Sequence, residues 1–284
     1  MNFFKKWYTY QKERFPIATY GLYIFSIVFG TFCFATESKN WIMLIPMFVV
    51  ALLQFLMVRI VDEFKDFEED SKYRPYRPVP RGLVSLKELG ILGGICAVIQ
   101  IGLTAILNLK GLIYLSLVWI FFAIMSKSFF IKKLVDKHIL LEVTLDEFLM
   151  PLLVLYLSTF VTTISVKLIP FLILSYLGSW IVEIARKVRC KEDEENGVKT
   201  YTAVFGIPKA TTIVVVLEAL IMLMQYYILG TKYIIPILAL YVLINIPNLL
   251  FIIKENKKFA KMVGLLANMY LILVYVSMLA KIIG

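Results

Sequence analysis

The sequence predicts an all-α polytopic membrane protein, a single domain of nine transmembrane helices in a bundle spanning residues 1–284, and three observations carry that prediction. Hydrophobic residues make up 60% of the chain, against roughly 45 to 50% in a soluble protein, and the mean hydropathy is +0.82. Nine apolar runs separate the charged segments, most of them near the roughly 20 residues that a helix needs to cross a bilayer. None shows the alternating apolar and polar period of a membrane barrel, so helices are the spanning solution left.

The runs lie at 17–36, 41–58, 89–109, 111–126, 148–166, 168–182, 210–230, 233–253 and 262–280. The first follows a basic segment, as a signal peptide would, but it is as long as a full span and has no small-residue cleavage site, so it is read as the first helix. The third is opened by Ser85 with Glu88 three residues on, a capping box. The fourth and sixth are short. Lys127 and Glu183 at their ends therefore belong in the interface or against a wet cavity, because a bare charge in hydrocarbon is costly. Glu142 and Asp146 precede the fifth run, one turn apart, and fit an interfacial seat better than an acceptor base. Pro208 opens the seventh run, and Glu218 lies within it, either a functional group or a protonated one bonded to a neighbouring helix. His138, the lone histidine, reads as interfacial.

Lysine and arginine orient the bundle. The amino terminus and the even-numbered connections hold 25 of these residues and the opposite side holds 5, so the amino terminus is predicted to be cytoplasmic and the carboxyl terminus outside. The net charge of +10 then reflects attraction to anionic membrane lipids rather than to nucleic acid. Cys33, Cys96 and Cys190 have no metal-like spacing and suggest neither zinc nor disulfides.

The acidic residues gather in two places, 62–70 and 183–195, each following an even-numbered helix and about 120 residues apart. In the first, Asp62, Asp66 and Asp70 are four apart. On a helix continuing the second run they drift only about 40° per step and share a face. Three carboxylates on one face repel one another, and Mg²⁺ held by a few carboxylates, water and substrate phosphate relieves that repulsion. The following RPYRPVPRG cannot be helical because of Pro75, Pro78 and Pro80. It is a stiff loop presenting Arg74, Arg77 and Arg81, whose guanidinium forks suit phosphate. In the second cluster a continuing helix would align Glu183, Arg186, Lys187, Cys190 and Glu194 on one stripe with Asp193 beside it. Gly197 would end that helix, and TYTAVFG would lie on the membrane surface. Alternation of acid and base leaves three readings there: self-neutralising salt bridges at the interface, a second metal site, or a mixed site with Asp193 on metal and Arg186 on phosphate. The cytoplasmic cap loops fall near 62–87 and 183–209.

These two segments resemble the paired aspartate-rich motifs of the UbiA superfamily of intramembrane prenyltransferases, and the likeness covers nearly the whole chain. Asp62, Asp66 and Asp70 stand in the register of the first motif, with RPYRPVPRGLVS behind them. GVKT at 197–200 matches the end of the second motif, whereas Glu183 stands where a leading Asp is usual. The string EIARKVRCKEDEENGVKTY is similar to a bacterial branch of the superfamily, which implies a bacterial plasma membrane. The resemblance implies an active-site cavity on the cytoplasmic side and Mg²⁺ as cofactor. It places catalytic and metal roles on Asp62, Asp66, Asp70, Glu183 and Asp193, with Glu194 a further metal ligand. Arg74, Arg77, Lys127, Lys132, Arg186 and Lys187 would bind the diphosphate of an isoprenoid donor, with Lys133 nearby. Such chemistry ionises an allylic diphosphate and shields the cation from water. It ends either in transfer to a lipophilic, possibly aromatic, acceptor or in cyclisation, as in a terpene cyclase. A transporter is the weaker alternative, since charge here sits at helix ends rather than on broken helices at the midplane.

Overall fold

The computed structural model describes residues 2–37, 39–135, 137–194 and 199–283. Among them every regular element is a helix and none is a strand. In chain order these are α1 (Phe3–Arg14), α2 (Ile17–Ala35), α3 (Leu44–Lys65), α4 (Phe67–Tyr73), α5 (Leu86–Leu107), α6 (Gly111–Ser126), α7 (Lys132–Val135), α8 (Ile139–Asp146) and α9 (Leu149–Ser158). They continue with α10 (Ile169–Arg186), α11 (Tyr201–Phe205), α12 (Ile207–Leu229), α13 (Ile234–Lys254), α14 (Lys257–Ser277) and α15 (Ala280–Ile283).

Seven stretches, built on α2, α3, α5, α10, α12, α13 and α14, are long and apolar enough to cross a membrane. The other two expected runs are shorter helices. α6 has 16 residues, about 24 Å at 1.5 Å per residue, and α9 has 10. The fifth run was expected to reach residue 166, but its helix stops at Ser158. Ser158 and Thr159 turn their hydroxyls back onto the carbonyls of Val154 and Tyr156, a competition that weakens the helix ladder. The Asn108 side chain then donates to both the carbonyl and the hydroxyl of Thr159 at 2.8 Å and closes the end.

Helices adjacent in sequence are adjacent in space around a closed ring. α2 packs on α3, α3 on α5, α5 on α6, α6 on α9, α9 on α10, α10 on α12, α12 on α13, α13 on α14, and α14 returns to α2. Contacts of α2 with α9 and of α10 with α14 cross the ring. Helix association in lipid depends on close packing, and Gly30 supplies it at the closure, since a side-chain carbon there would meet Tyr275 of α14 at 3.0 Å. Phe32, Tyr156, Phe171, Tyr270 and Tyr275 fill the interior, while Ile91, Val98 and Ile106 of α5 and Ile235, Val242 and Leu249 of α13 face outward. Such a uniformly apolar exterior suits lipid rather than water.

Two local expectations are corrected. The helix through Asp62, Asp66 and Asp70 is interrupted at Asp66 (φ −96°, ψ 2°). Acids at 62 and 63 crowd the negative end of α3, whereas restarting the helix puts Glu68, Glu69 and Asp70 in the first turn of α4, where the helix dipole favours them. Helix α10, which leads into the second acidic cluster, ends at Arg186 instead of running on to Glu194, because the Arg189 amide leaves the ladder and donates to the Thr202 hydroxyl at 3.0 Å. The expected terminator Gly197, and Val198 of GVKT, lie outside the described residues. The TYTAVFG segment, expected on the membrane surface, forms the short helix α11 with Tyr201 and Thr202 buried, which leaves that expectation untouched.

Candidate functional site

The Lys- and Arg-rich end of the ring carries both acidic segments. Asp62 lies one turn before the end of α3, with the Arg59 guanidinium 3.5 Å from its carboxylate. Arg59 also donates to the Tyr20 hydroxyl at 3.2 Å, which ties α3 to α2. Asp66 occupies the break, half-buried and in no ion pair among the described residues. Asp70 is 2% exposed and accepts from Arg74 at 3.1 Å and Arg77 at 2.6 Å. The proline-bearing loop therefore folds back so that its first two arginines meet the carboxylate before them.

Helix α1 clamps this segment. Its Arg14 pairs with Glu63, which is almost wholly buried, its Lys6 pairs with Glu88 of the Ser85 capping box, and its Glu13 receives Arg81 at 2.8 and 3.0 Å. Sequence reading registered only a basic amino-terminal segment. The acidic partners Glu63 and Glu88 were visible, but no spacing rule links residues so far apart in sequence.

In the second segment Glu183 takes both Arg186 and Lys187, the latter at 2.6 Å, and Lys187 also stands 5.9 Å from the centre of the Tyr201 ring. Asp193 turns to Lys257 at the start of α14, and that cation holds the Asp193 carboxyl below the usual carboxylate range. Glu194 accepts from the hydroxyls of Thr200 at 2.6 and 2.7 Å and Thr202 at 2.9 Å. Asp193 and Glu194 thus fasten the connection from α10 to α11.

Asp146, at the end of α8, links the two segments. The carboxylates Glu142, Glu183 and Asp62 and the cation Lys65 all lie within electrostatic reach of it. The ends of α3, α8 and α10 therefore bring carboxylates from both motifs within electrostatic reach of one another. Glu147, overlooked in the sequence, lies within reach of Glu183 and Arg186. Its signal was its place next to Asp146. No three acidic, histidine or cysteine side chains form a tight cage among the described residues. The donor set is nevertheless the hard, oxygen-only kind that suits Mg²⁺, an ion that typically takes one or two carboxylates and completes its shell with water and phosphate.

Other sequence candidates fall outside this cluster. Lys127 ends α6 and Lys132 begins α7, both exposed, with Ser128, Phe129 and Phe130 between them in left-handed conformations (φ 48°, 54° and 59°). Glu218 is fully buried and accepts from Asn248 at 3.0 Å, while Tyr270 donates to its backbone carbonyl at 3.2 Å. It joins α12, α13 and α14. His138 precedes α8, exposed and without a side-chain capping bond.

Chemically, the rim gathers guanidinium groups and carboxylates over an apolar bundle. It can hold a polyanion through arginine and a divalent cation while an apolar tail lies among the helices.

Comparison with known proteins bears on the family and the fold. The sequence profile of the UbiA prenyltransferase family matches residues 23–278. The fold is similar to the solved structure of a digeranylgeranylglyceryl phosphate synthase (TM-score 0.65, 21% identity, covering 99% of this chain and 98% of that one). It is also similar to the apo structure of a UbiA homologue from Aeropyrum pernix K1 (TM-score 0.65, 13% identity, covering 93% and 97%). A UbiA homologue from Archaeoglobus fulgidus bound to GPP and Mg²⁺ is similar as well (TM-score 0.58, 13% identity, covering 95% and 99%). Comparison with curated proteins finds no significant match.

Proposed function

The chain belongs to the UbiA prenyltransferase family, and from that premise we propose that it is a Mg²⁺-dependent enzyme that transfers the prenyl group of an isoprenoid diphosphate to a lipophilic acceptor. The observation that supports the reading is that Asp62 and Glu183, from two motifs distant in sequence, both lie within electrostatic reach of Asp146. The neighbour that binds GPP and Mg²⁺ shares the fold and lends support.

In this reading Asp62 and Asp66 hold Mg²⁺, with Glu183 on the facing side. When bound, the ion neutralises charge developing on the departing diphosphate. Arg74, Arg77, Arg186 and Lys187 bind the diphosphate oxygens, and the exposed Lys127 and Lys132 supply further positive charge at the rim. Asp70 now holds Arg74 and Arg77. It orients them for phosphate, and its oxygens reach a metal only once Arg77 has moved onto the donor. Asp193 and Glu194 act on the loop they fasten. The apolar ring excludes water from the allylic cation. We read α6 and the α8–α9 pair as completing nine crossings, with this rim on the cytoplasmic face of a bacterial plasma membrane and the carboxyl terminus outside, as the lysine and arginine bias supports.

The test is product analysis of the purified protein with Mg²⁺ and dimethylallyl, geranyl, farnesyl and geranylgeranyl diphosphates, each with and without lipophilic acceptors. A prenylated product that forms only with acceptor is expected. A cyclised hydrocarbon or alcohol formed without acceptor would make the protein a cyclase instead, and no consumption of any donor would overturn the reading.

A further inference from the structure

At the end of the bundle remote from the rim, α12, α13, α14 and α15 leave a cavity of about 400 Å³ between them, within the size range of small-ligand sites. Ile237, Leu240 and Leu273 give it apolar walls, and among the described residues no charged side chain lines it. Its polar side chains are Gln225, Tyr233 and Ser277. Gln225 is 2% exposed, and its amide is held from one side. The Ser277 hydroxyl donates to the Val274 carbonyl at 2.6 Å, so the hydroxyl oxygen is left to accept from the Gln225 side-chain nitrogen at 2.8 Å. Gln225 Oε1 is then a buried acceptor without a partner, on a residue that lines the cavity. Such an atom is costly in apolar surroundings. A ligand that donates one hydrogen bond removes the cost.

Charge, access and depth narrow the occupant. A charged headgroup would lose its hydration here without meeting an opposite charge, so the head is neutral. Leu273, Val276 and Ile283 line the cavity and are exposed on a stretch long and apolar enough to span the membrane, so the mouth opens to lipid. Gln225 comes four residues before the end of α12 at Leu229, about 6 Å inward from that end. A helix of 23 residues is about 35 Å long against a hydrocarbon core of about 30 Å, which puts Gln225 just inside the boundary of the core. That is the height for the hydroxyl of a single-chain lipid whose tail runs deeper, along Leu240 and Leu273.

We propose that this cavity is a lipid-binding site that takes a single-chain amphiphile with a neutral hydroxyl head, such as a long-chain alcohol, held by a hydrogen bond from its hydroxyl to Gln225 Oε1. Gln225 lies about 27 Å along α12 from the start of that helix at Ile207, so the site is separate from the donor rim and does not depend on the prenyl-transfer reading.

The test uses the full chain in phosphatidylcholine nanodiscs and three photoreactive probes with the same diazirine-bearing oleyl chain: the alcohol, its methyl ether, which cannot donate, and the carboxylic acid. The alcohol is expected to label the cavity-lining peptides of α12, α13 and α14 saturably, at concentrations about three- to tenfold below those the ether needs, the worth of one hydrogen bond. Gln225→Leu keeps the volume of the side chain and removes the acceptor. It should weaken labelling by the alcohol alone and so abolish its preference over the ether. Ala280→Phe fills the cavity from α15 and should reduce labelling by both probes, which keeps the test decisive if Gln225→Leu alters the size-exclusion profile. Equal labelling by alcohol and ether in the wild type overturns the proposal, as does a preference that survives in Gln225→Leu or labelling undiminished in Ala280→Phe. Labelling that never saturates would mean bulk lipid contact, and tighter labelling by the acid an anion site, and either result contradicts a neutral hydroxyl site.

Discussion

Asp66 and Asp70 are four residues apart, yet they meet opposite fates. Asp66 stands at a helix break without an ion pair among the described residues, so its charge is available to a cation. Asp66→Ala is expected to abolish turnover while leaving the size-exclusion profile and thermal midpoint near wild type, and near-normal activity at saturating Mg²⁺ would remove Asp66 from the metal site. Asp70 is buried under two guanidinium groups. Arg77→Ala should therefore do two things. It should weaken use of the donor by roughly tenfold or more through the lost phosphate contact, and it should cost about 1 to 3 kcal/mol of stability by leaving a buried carboxylate short of a partner. Donor KM and thermal unfolding report the two effects separately. The spacing of Asp62, Asp66 and Asp70 and the arginines behind them could be read in the sequence. The pairing of Asp70 with Arg77 could not, because it depends on how three prolines turn the loop back, which no periodicity encodes.

Among the elements, α1 shows how a segment apart from the long apolar helices secures the site. Its Arg14 and Glu63 have side-chain exposures of only 10% and 1%. Removing one partner of such a pair strands a buried charge, at a cost of about 3 to 5 kcal/mol. The Lys6 and Glu88 pair is more open, at 22% and 37%, and exposed pairs contribute about 0 to 1 kcal/mol. Thermal unfolding should therefore show a large loss for Arg14→Ala and a small one for Lys6→Ala, and equal losses would contradict the clamp. The long helices were legible from apolar length alone, with ends within several residues of those found. The end of α10 was not, because the partners that draw the chain out of the helix, Thr202 for the Arg189 amide and Lys257 for Asp193, lie farther along the chain.

At the scale of the whole molecule, the closed ring from α2 round to α14 places all the rim residues at one end, which matches the bias of 25 cations against 5. The three native cysteines are buried, so single introduced cysteines report sidedness cleanly. Thr9→Cys should react with a membrane-impermeant maleimide only in inside-out vesicles and Lys281→Cys only in right-side-out ones, and reaction of both from the same side would refute an odd number of crossings. The central claim is that two motifs far apart in the chain act as one Mg²⁺-dependent diphosphate site. The most direct measurement is calorimetric titration of a non-ionising geranyl thiolodiphosphate into wild type, Asp66→Ala and Glu183→Ala, with Mg²⁺ and with EDTA. Binding should require Mg²⁺ in the wild type and be lost or weakened by about tenfold or more in both variants, one from each motif. Binding that persists in EDTA, or that is indifferent to either substitution, would contradict it.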